Sequence, residues 1–329
     1  MTQNIIEVKN LKKMYKTHER EPGLINAAKS IFKRNYRIDY ALRGINLSIN
    51  KGEIVGFIGP NGAGKSTTIK ILSGILYPDE GEVNVLGFVP WKERVKYVQN
   101  IGVVFGQKTQ LWWDLPAIDT FELNKDLYKI PKEVFKRRLK FMMKVMNVER
   151  VIKKPVRDLS LGERMKCQTI AALLHKPKLV FLDEPTIGLD VVAKERYRNF
   201  ILETNERFGT TFLITTHDMQ DVEKLCKRVI IINHGKIVYD GPLKEIKEKY
   251  MTTKILDVKF DGKPVGFKCK GCIVLKRGRC GLKIKVDLSK KKIRDVIDYL
   301  IGEFEVLDIN IQDTPIEEII QKIYQEKND

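Results

Sequence analysis

The clearest chemical signal in the sequence is a glycine-rich segment, GPNGAGKST, at residues 59–67. It fits the pattern G-x-x-x-x-G-K-[ST] and lies between an apolar strand pattern, EIVGFI, and a helical one, TTIKILSGIL. The N–H groups of such a loop surround phosphate oxygens, and the helix that begins at its end adds partial positive charge. Lys65 is then placed to bridge the β- and γ-phosphates of a nucleotide, and the Ser66 hydroxyl to bind Mg²⁺. The residues predicted to hold the nucleotide here are Gly59, Pro60, Asn61, Gly62, Ala63, Gly64, Lys65, Ser66 and Thr67.

A second segment, KLVFLDEPT, places two neighbouring carboxylates at the end of an apolar strand pattern. Asp183 ends that strand, where it can hold the shell of the Mg²⁺, and Glu184 can orient and polarise an attacking water. Two acids after a strand are, by themselves, also compatible with an ordinary strand end. Together with the phosphate loop, they favour hydrolysis of the bound nucleotide.

These residues need a scaffold, and the sequence predicts an α/β fold in which helices flank a largely parallel sheet. Apolar strand-like runs alternate with helical stretches, as in parallel strands joined by crossover helices. IIEVK, at residues 5–9, alternates like an edge strand. The other predicted strands lie in INLSI, EIVGFIG, IGVVF, LVFLDEP, TTFLITTH and RVIIINHGKIVYDG.

The pattern changes near the C-terminus, where we predict a separate α+β domain at residues 250–329. KILDVKF, CIVLKR and LKIKVDL are typical of short strands, KKIRDVIDYLIGEF of a helix, EVLDINI of a strand and IEEIIQKIYQ of a final helix. The nucleotide-binding domain is then residues 1–249, with a helical part at about 108–175 and a basic insertion at 16–40.

The composition restricts the class of protein. Apolar residues make up 43% of the 329 residues, which is enough for a globular interior. No uninterrupted apolar run approaches the length of a membrane span, and the N-terminal MTQNIIEVKN lacks the pattern of a secretory signal. We therefore expect a cytosolic chain that a partner holds at the membrane. The 60 Lys and Arg against 42 Asp and Glu give a net charge of +18, which suits polyanions or simply a soluble, Lys-rich surface.

Two further segments, LSLGERM at residues 159–165 and LITTHDM at 213–219, complete an ordered set of motifs. With the phosphate loop, Gln107 and the acidic strand, they resemble the ATP-binding subunit of ABC transporters over residues 5 to about 245. More narrowly, VFGQKTQLWWDLP and DEPTIGLDVVAKER are similar to ATPases of bacterial and archaeal ABC type-2 exporters. The resemblance implies a P-loop ABC-type fold with antiparallel edge strands and a helical subdomain. It also implies that the chain hydrolyses ATP with Mg²⁺ at the cytoplasmic face of the membrane and drives export through separate permease subunits.

The resemblance assigns roles outside the phosphate loop. Gln107 corresponds to the glutamine that senses the γ-phosphate and Mg²⁺, and His217 to the switch histidine that contacts the γ-phosphate. Tyr15 corresponds to the aromatic that stacks on adenine, with Tyr36 and Tyr40 as alternatives because an insertion follows Tyr15. The catalytic residues predicted in this way are Glu184, His217 and Gln107, and the metal ligands are Ser66, Gln107 and Asp183.

In the same family, Ser160 and Gly162 correspond to signature residues that cap the ATP of the opposite subunit, and Asp190 to the aspartate that links the two sites. The segment departs from the usual L-S-G-G-Q, because Leu161 replaces a glycine and Glu163 replaces the glutamine. Ser160 and Glu163 form the S-x-x-E pattern of a capping box, so the helix that begins here can still present N–H groups to a phosphate. Because Glu163 adds negative charge near that phosphate, we expect weak ATPase activity from the isolated subunit.

The chain has one phosphate loop and one signature segment, at opposite ends of the core. In the family these complete each other only across a head-to-tail dimer, which two ATP molecules close and hydrolysis loosens. Self-pairing is the simpler expectation, because this chain keeps every catalytic motif. An unlike second subunit remains the alternative.

Trp112 and Trp113 lie in the segment from Gln107 to Pro116, which in this family receives the coupling helix of the membrane subunit. Large amphipathic aromatics are frequent anchors at interfaces. We therefore expect at least one of the two to contact a permease. The alternative is that one packs inward and the other covers the domain.

Two segments allow more than one interpretation. The basic stretch 16–40 predicts either a helix lying on anionic headgroups or on a partner, or a solvated insertion packed on its own domain. Cys269, Cys272 and Cys280 form C-x₂-C-x₇-C, which suits zinc only if a fourth ligand is found. A hairpin that carries reduced thiols is the favoured interpretation.

Two other functions compete with the exporter subunit. One is a soluble ABC ATPase that acts on ribosomes or DNA, which the net charge permits. Such proteins usually carry two cassettes or long coiled coils, and this chain has neither, so we do not expect a nucleic-acid partner. The other is the ATPase of an importer. The transported substrate is not encoded in this chain.

Overall fold

The computed structural model describes four ranges of the chain, residues 3–18, 36–106, 108–250 and 252–326. Gln107 and the helical pattern at residues 24–32 lie outside these ranges. The chain forms two compact units, Met1–Gly241 and Pro242–Asp329. Residues 242–249, which were predicted to belong to the larger domain, fall in the second unit.

The first unit alternates strands and helices along most of its length. Its strands are β1 Asn4–His18, β2 Tyr36–Asn50, β3 Ile54–Ile58, β4 Glu80–Val85, β5 Ile101–Phe105, β6 Leu179–Asp183, β7 Thr211–Thr215, β8 Arg228–Asn233 and β9 Lys236–Pro242. Its helices are α1 Lys65–Leu72, α2 Arg94–Val98, α3 Ala117–Leu127, α4 Lys132–Met146, α5 Leu161–Leu173, α6 Val191–Phe208 and α7 Met219–Leu225. None of the helices described in either unit has the length and apolar composition needed to cross a membrane.

A sheet of six strands within the described ranges positions the chemistry. Its order is β5-β6-β7-β3-β8-β9, and the pairs β5–β6, β6–β7, β7–β3 and β3–β8 are parallel. The strands β3, β6, β7 and β8 are almost entirely buried, as expected when helices cover both faces of a parallel sheet. The carboxyl ends of β3, β6 and β7 meet at one edge, which is where such folds bind ligands. The predicted α/β fold is therefore confirmed.

A second, antiparallel sheet has the order β2-β1-β4. The prediction of an edge strand at residues 5–9 is wrong, because β1 is the middle strand and pairs on both sides. Both β1 and β2 are also longer than predicted, and residues 16–18 pair with residues 36–38. The two ends of the basic segment 16–40 are therefore strands. Lys16, Thr17 and all of residues 36–40 are exposed. The short alternation of Tyr36, Ile38 and Tyr40 therefore marks no buried face and does not distinguish a strand from an insertion.

Between β5 and β6 the chain forms α3, α4 and α5, and α5 contacts both of the others. In α4 the buried residues Phe135, Leu139, Met142 and Met146 recur at helical spacing. Asn147 ends the helix in the left-handed conformation, with a φ angle of 52°. The apolar stripe therefore decides which face of α4 packs against its neighbours.

His175, which matches no motif, connects this helical region to the sheet. Its ring stacks on Tyr128 with centroids 3.9 Å apart, and its Nε2 lies 2.9 Å from the carbonyl oxygen of Ile101. Because a carbonyl can only accept, Nε2 carries the proton and donates it. The other ring nitrogen, Nδ1, is buried without a hydrogen-bond partner among the described residues.

Acid is expected to weaken the fold through His175. Burial lowers its pKa from 6.5 to about 4, so between these values the unfolded chain binds a proton that the folded chain does not. The free energy of unfolding should therefore fall by up to about 3 kcal/mol as the pH drops from 6.5 to 4. Denaturant titrations of the wild type and of His175→Gln at several pH values would measure this contribution. An equally steep pH dependence in the variant would contradict it.

The second unit is built on an antiparallel sheet with the strand order β11-β12-β10-β13. Its elements are α8 Leu243–Tyr250, β10 Thr253–Phe260, β11 Cys272–Arg277, β12 Gly281–Asp287, α9 Ile293–Glu303, β13 Val306–Asp313 and α10 Ile316–Glu326. Leu256, Ile284 and Leu300 belong to its fully buried core. Each strand and helix predicted from residue 254 onward is present with the predicted type, because the period of the apolar residues is unambiguous there.

The cysteines of this unit differ from the expectation of reduced thiols. Cys269 and Cys272 form a disulfide, whereas Cys280 is free and exposed. In the described part of the chain, no three His, Cys, Asp or Glu side chains gather as they would around a metal ion. Spacing alone could not decide between these states, because it does not say how closely two sulfur atoms approach.

Candidate active site

The loop after β3 turns sharply before it begins α1. Gly62 and Gly64 have φ angles of 79° and 113°, which glycine adopts without a steric penalty. A Cβ atom at Gly64 would lie 2.6 Å from the carbonyl oxygen of Ala41, and one at Gly59 would lie 2.3 Å from that of Ile232. Gly59 and Gly64 are therefore required by close approach of the backbone, and Gly64 is also required by the turn.

The start of α1 provides positive charge at the same place. Gly64 is its N-cap, and no side chain caps its first N–H groups, so these donors are available to an anion. The Lys65 ammonium donates to the carbonyl oxygens of Gly59 and Pro60, at 2.6 and 3.0 Å. Burial lowers the pKa of Lys65, and the charges of the two nearby carboxylates oppose that shift.

Asp183 lies beside the loop at the end of β6. Its Oδ2 accepts a hydrogen bond from Ser66 Oγ at 3.2 Å, and its Oδ1 accepts one from Thr215 Oγ1 at 2.5 Å. A hydroxyl and a carboxylate are hard oxygen ligands of the kind that Mg²⁺ prefers, so this pair fits a magnesium ion carried by a nucleotide. Thr215 was not predicted, although its place in LITTHDM could have indicated it, because β7 runs parallel to β6.

Glu184 follows in a left-handed conformation, with a φ angle of 55°. For a residue with a Cβ atom this conformation is strained, and such strain is often found at functional sites. The Glu184 amide donates to the Thr215 carbonyl at 3.0 Å, and Oε2 accepts the His217 backbone N–H at 3.2 Å. These hydrogen bonds to Thr215, at the end of β7, and to His217 therefore hold the strained backbone in place.

The second carboxylate oxygen, Oε1, has the properties of a proton acceptor. It is buried, and within the described ranges no donor makes a hydrogen bond to it. His217 Nε2 lies 3.1 Å away, but its geometry is not that of a hydrogen bond. Burial raises the pKa of Glu184, while the charge of His217 opposes that shift. A carboxylate with an unused oxygen and a raised pKa suits a general base for water.

A cavity of about 460 Å³ brings these groups together, which is a size typical of small-molecule sites. Predicted residues along its wall are Asn61, Gly62, Gly64, Lys65, Ser66, Thr67, Asp183, Glu184 and His217. Wall residues that were not predicted are Ala41, Lys70, Ile75, Phe105, Gly106 and Lys108. The sequence therefore predicted the wall residues of the phosphate loop and of the segments at Asp183 and His217. It did not predict the rest of the wall, which comes from β2, α1, the turn after α1 and the end of β5.

The predicted adenine-stacking residue, Tyr15, is not part of the cavity wall. Tyr15 stands on β1 opposite Asp39 of β2, and 39% of its surface is exposed. Neither Tyr15 nor its alternatives Tyr36 and Tyr40 line the cavity. Their role in stacking on adenine stays a prediction.

The signature segment also lies outside the cavity wall, and its capping box is confirmed. Ser160 Oγ accepts from the Glu163 amide at 3.2 Å, and Glu163 Oε2 accepts from both the amide and the hydroxyl of Ser160, each at 2.9 Å. The Ser160 hydroxyl proton is therefore directed at Glu163 in this structure. A Cβ atom at Gly162 would lie 2.8 Å from the carbonyl oxygen of Gly188, so α5 packs closely on the turn before α6.

Asp190 caps the next helix. Its carboxylate accepts the Ala193 amide at 2.7 Å, at the first turn of α6. The exposed apolar residues on either side of this turn are Leu161, Ile187, Val191 and Val192. Asp190 is thus fixed where the start of α5 and the start of α6 meet.

A buried ion pair that no sequence motif indicated supports the segments that hold Glu184 and His217. Asp221 accepts from Arg198 Nε at 2.6 Å, and both side chains are almost fully buried. Asp221 also accepts from the hydroxyls of Thr186 and Thr216, at 2.5 and 3.3 Å. Because Thr186 follows Glu184 and Thr216 precedes His217, one carboxylate orients both segments. No sequence pattern joins these residues, which lie on different elements.

Together, the phosphate loop, the magnesium-type ligands and the buried carboxylate define a P-loop nucleotide hydrolase. The family model for ABC transporters matches residues 42–187. The chain is 34% identical to the ABC transporter ATP-binding protein NatA of Bacillus subtilis, over 66% of this chain and 88% of NatA. It is 31% identical to the linearmycin resistance ATP-binding protein LnrL of the same organism, over 87% of this chain and 92% of LnrL.

The fold agrees with these relatives. An ATP-binding cassette solved as a dimer in a post-hydrolysis state with ADP and Pi superposes with a TM-score of 0.60 at 27% identity, over 72% of this chain and 98% of that chain. The chain belongs to the family of ABC transporter ATP-binding proteins, and it is an ATPase. An import ATP-binding protein is also among the matched relatives, so family membership does not determine the direction of transport.

Proposed function

We propose that this chain is the ATPase subunit of an exporter, closing on ATP as a head-to-tail dimer and driving separate membrane permeases. The dimer is supported by one observation: within a single chain, the phosphate loop and the signature segment do not line the same cavity. The phosphate loop lines the cavity, whereas Ser160 and Gly162 do not. A single chain therefore leaves its nucleotide without a signature segment, and a second copy would supply it.

The surface around the signature segment supports a second copy as the partner. Val191 and Val192 are 81% and 61% exposed, and Leu161 and Ile187 are each 39% exposed. These apolar side chains cluster at the starts of α5 and α6, beside Asp190. When a partner covers apolar groups that are gathered at one place on a surface, the free energy falls.

Within each site, the side chains divide the work. Lys65 and the first turn of α1 bind the phosphates, and Glu184 Oε1 accepts the proton of the attacking water. Mg²⁺ would be held by Ser66 and Asp183, with Gln107 as a further ligand. When bound, the ion neutralises charge that develops on the phosphate oxygens. His217, which lies beside Glu184 and lines the cavity, would contact the γ-phosphate.

The permease contact is assigned to the segment from Gln107 to Pro116. Trp112 is 52% exposed and Leu115 is 38% exposed, which leaves a large aromatic and an aliphatic side chain available to a partner. This contact would hold the chain at the cytoplasmic face of the membrane. Export is favoured by the resemblance of this segment to those of type-2 exporters, and the name of LnrL associates that relative with resistance.

Glu163 is expected to limit the activity of the isolated subunit. Replacing it with Gln should raise the ATPase rate by about fivefold, because two unit charges about 4 Å apart in water repel by about 1 kcal/mol. Glutamine can still close the capping box, so the helix start is kept. Steady-state ATPase assays of the wild type, Glu163→Gln and Glu163→Ala would test this. A rate for Glu163→Gln at or below that of the wild type would show that the charge is not limiting.

The proposed function is tested by affinity purification from detergent-solubilised native membranes, with Trp112→Ala beside the wild type. We expect multi-span membrane proteins to co-purify with the wild type and to be depleted with the variant. Export is then read from the direction in which vesicles containing the recovered complex move its substrate. Recovery of ribosomes or nucleic acid in place of membrane proteins would replace the transport function with that of a soluble ATPase.

A further inference from the structure

The segment that carries the two neighbouring tryptophans is attached to the chain just before the signature. The Val156 amide donates to the Leu115 carbonyl and the Arg157 amide to the Trp113 carbonyl, each at 3.0 Å. The Arg157 guanidinium also donates to Asp114 at 2.9 Å. Pro116 and Pro155 pair as an isolated β-bridge. Residues 113–116 are thus fixed to residues 155–157, only a few positions before Ser160.

A side-chain contact continues this attachment into α5. The Arg164 guanidinium lies over the Trp113 ring, with Cζ 5.1 Å from the ring centroid, which is the range of a cation–π interaction. The Nε atom of Arg164 is buried and, among the described residues, makes no hydrogen bond. The Trp113 ring therefore provides a favourable contact for a guanidinium whose Nε makes no hydrogen bond to the described residues. Arg164 lies one residue after Glu163, in the first turns of the signature helix.

We infer that Trp113 is a positioning residue for the signature helix, acting through its contact with Arg164, and that it is not primarily an anchor for the permease. The backbone bonds fix the chain before Ser160, and the ring fixes the helix after it. The Ser160–Glu163 turn lies between these two attachments. Its orientation decides how the first N–H groups of α5 meet a phosphate on the opposite subunit. This inference rests on the proposed dimer, and it adds a route from the permease-contacting segment to the partner's ATP.

The test uses the full-length subunit in a Glu184→Gln background, so that ATP is not consumed. Analytical ultracentrifugation with MgATP measures the dimer dissociation constant, and a fluorescent ATP analogue measures nucleotide binding by dilute monomer. Trp113→Ala should weaken the dimer by about fivefold or more, the size expected for losing a cation–π contact, with monomer binding unchanged. Trp113→Phe keeps an aromatic face and should restore most of the affinity.

Phe208→Ala is the matched control. Phe208 is 42% exposed, and the Lys176 Nζ lies 5.0 Å from the centroid of its ring. Trp113 is 46% exposed, and the Arg164 Cζ lies 5.1 Å from the centroid of its ring. Losing a similar contact at Phe208, at the far end of α6, should leave the dimer constant unchanged. Should Trp113→Ala fail to fold in a thermal melt, Arg164→Gln removes the same contact from the other side and must give the same result.

Hydrogen exchange at residues 161–165 separates this inference from the proposed dimer. Trp113→Ala should exchange faster there in the absence of nucleotide, while Phe208→Ala should match the parent. If the parent does not dimerise with MgATP, the proposed function loses its dimer, and the exchange rates alone decide the role of Trp113. Parent-like exchange and parent-like dimerisation in Trp113→Ala would overturn the inference.

Discussion

Replacing Glu184 with glutamine is expected to lower the turnover of ATP hydrolysis by roughly 10²- to 10⁴-fold, the range that a general base contributes. The amide has the same shape but cannot accept the proton of the attacking water. ATP binding should be retained, because the groups proposed to bind the phosphates, Lys65 and the start of α1, are unchanged. Stability should not fall, because burial raises the pKa of Glu184 and therefore disfavours its charged form.

The comparison variant is Asp183→Asn, which changes the neighbouring carboxylate. That variant should lose magnesium-dependent binding as well as turnover, because Asp183 and Ser66, which are hydrogen-bonded at 3.2 Å, are the proposed Mg²⁺ ligands. Glu184→Gln should instead bind MgATP tightly and accumulate as a dimer in gel filtration. A Glu184→Gln protein that hydrolyses ATP within tenfold of the wild-type rate would remove Glu184 from the mechanism. A Glu184→Gln protein that stays monomeric with MgATP would remove the proposed dimer.

Gly64→Ala is expected to lower the affinity for ATP by about 10²-fold or more. The new Cβ atom would lie 2.6 Å from the backbone carbonyl oxygen of Ala41 and 2.7 Å from a methyl group of Leu42. Such overpacking costs about 1–3 kcal/mol. The left-handed backbone at this position, with a φ angle of 113°, costs a residue with a Cβ atom about 1–2 kcal/mol more. The loop must shift, and the start of α1, which is proposed to bind the phosphates, shifts with it.

Gly62→Ala is the matched control for this prediction. Gly62 belongs to the same loop and also has a positive φ angle, 79°, but a Cβ atom there would meet no other atom of the protein within 4 Å. The Gly62→Ala substitution then adds backbone strain without a clash against the protein, so the affinity of this variant for ATP should fall much less. Calorimetric titration with MgATP and thermal melting of both variants would measure the difference. Equal losses in the two variants would mean that close packing against β2 does not shape the site.

The phosphate end of the site could be predicted from the sequence because its chemistry is local. Residues 59–67 and the Asp183–Glu184 pair each form a short, continuous segment whose residue types and flanking patterns already require the turn, the helix start and the strand end. The capping box at Ser160 and Glu163 is local in the same sense, since its two side chains are one helical turn apart. The elements of the second unit were also predictable, because their apolar residues follow clear periods.

Other features depend on which strands and helices become neighbours. The edge prediction for β1 failed because alternation in a single strand does not show how many partners it has. The hydrogen bonds of Thr215 to Asp183 and of Asp221 to Arg198 join residues far apart in the chain, and only the order of the sheet brings them together. The contact of Trp113 with Arg164 has the same origin. In the sequence, Trp112 and Trp113 are a simple pair of aromatics, whereas the attachment of their segment beside Arg164 is a property of the packed tertiary structure.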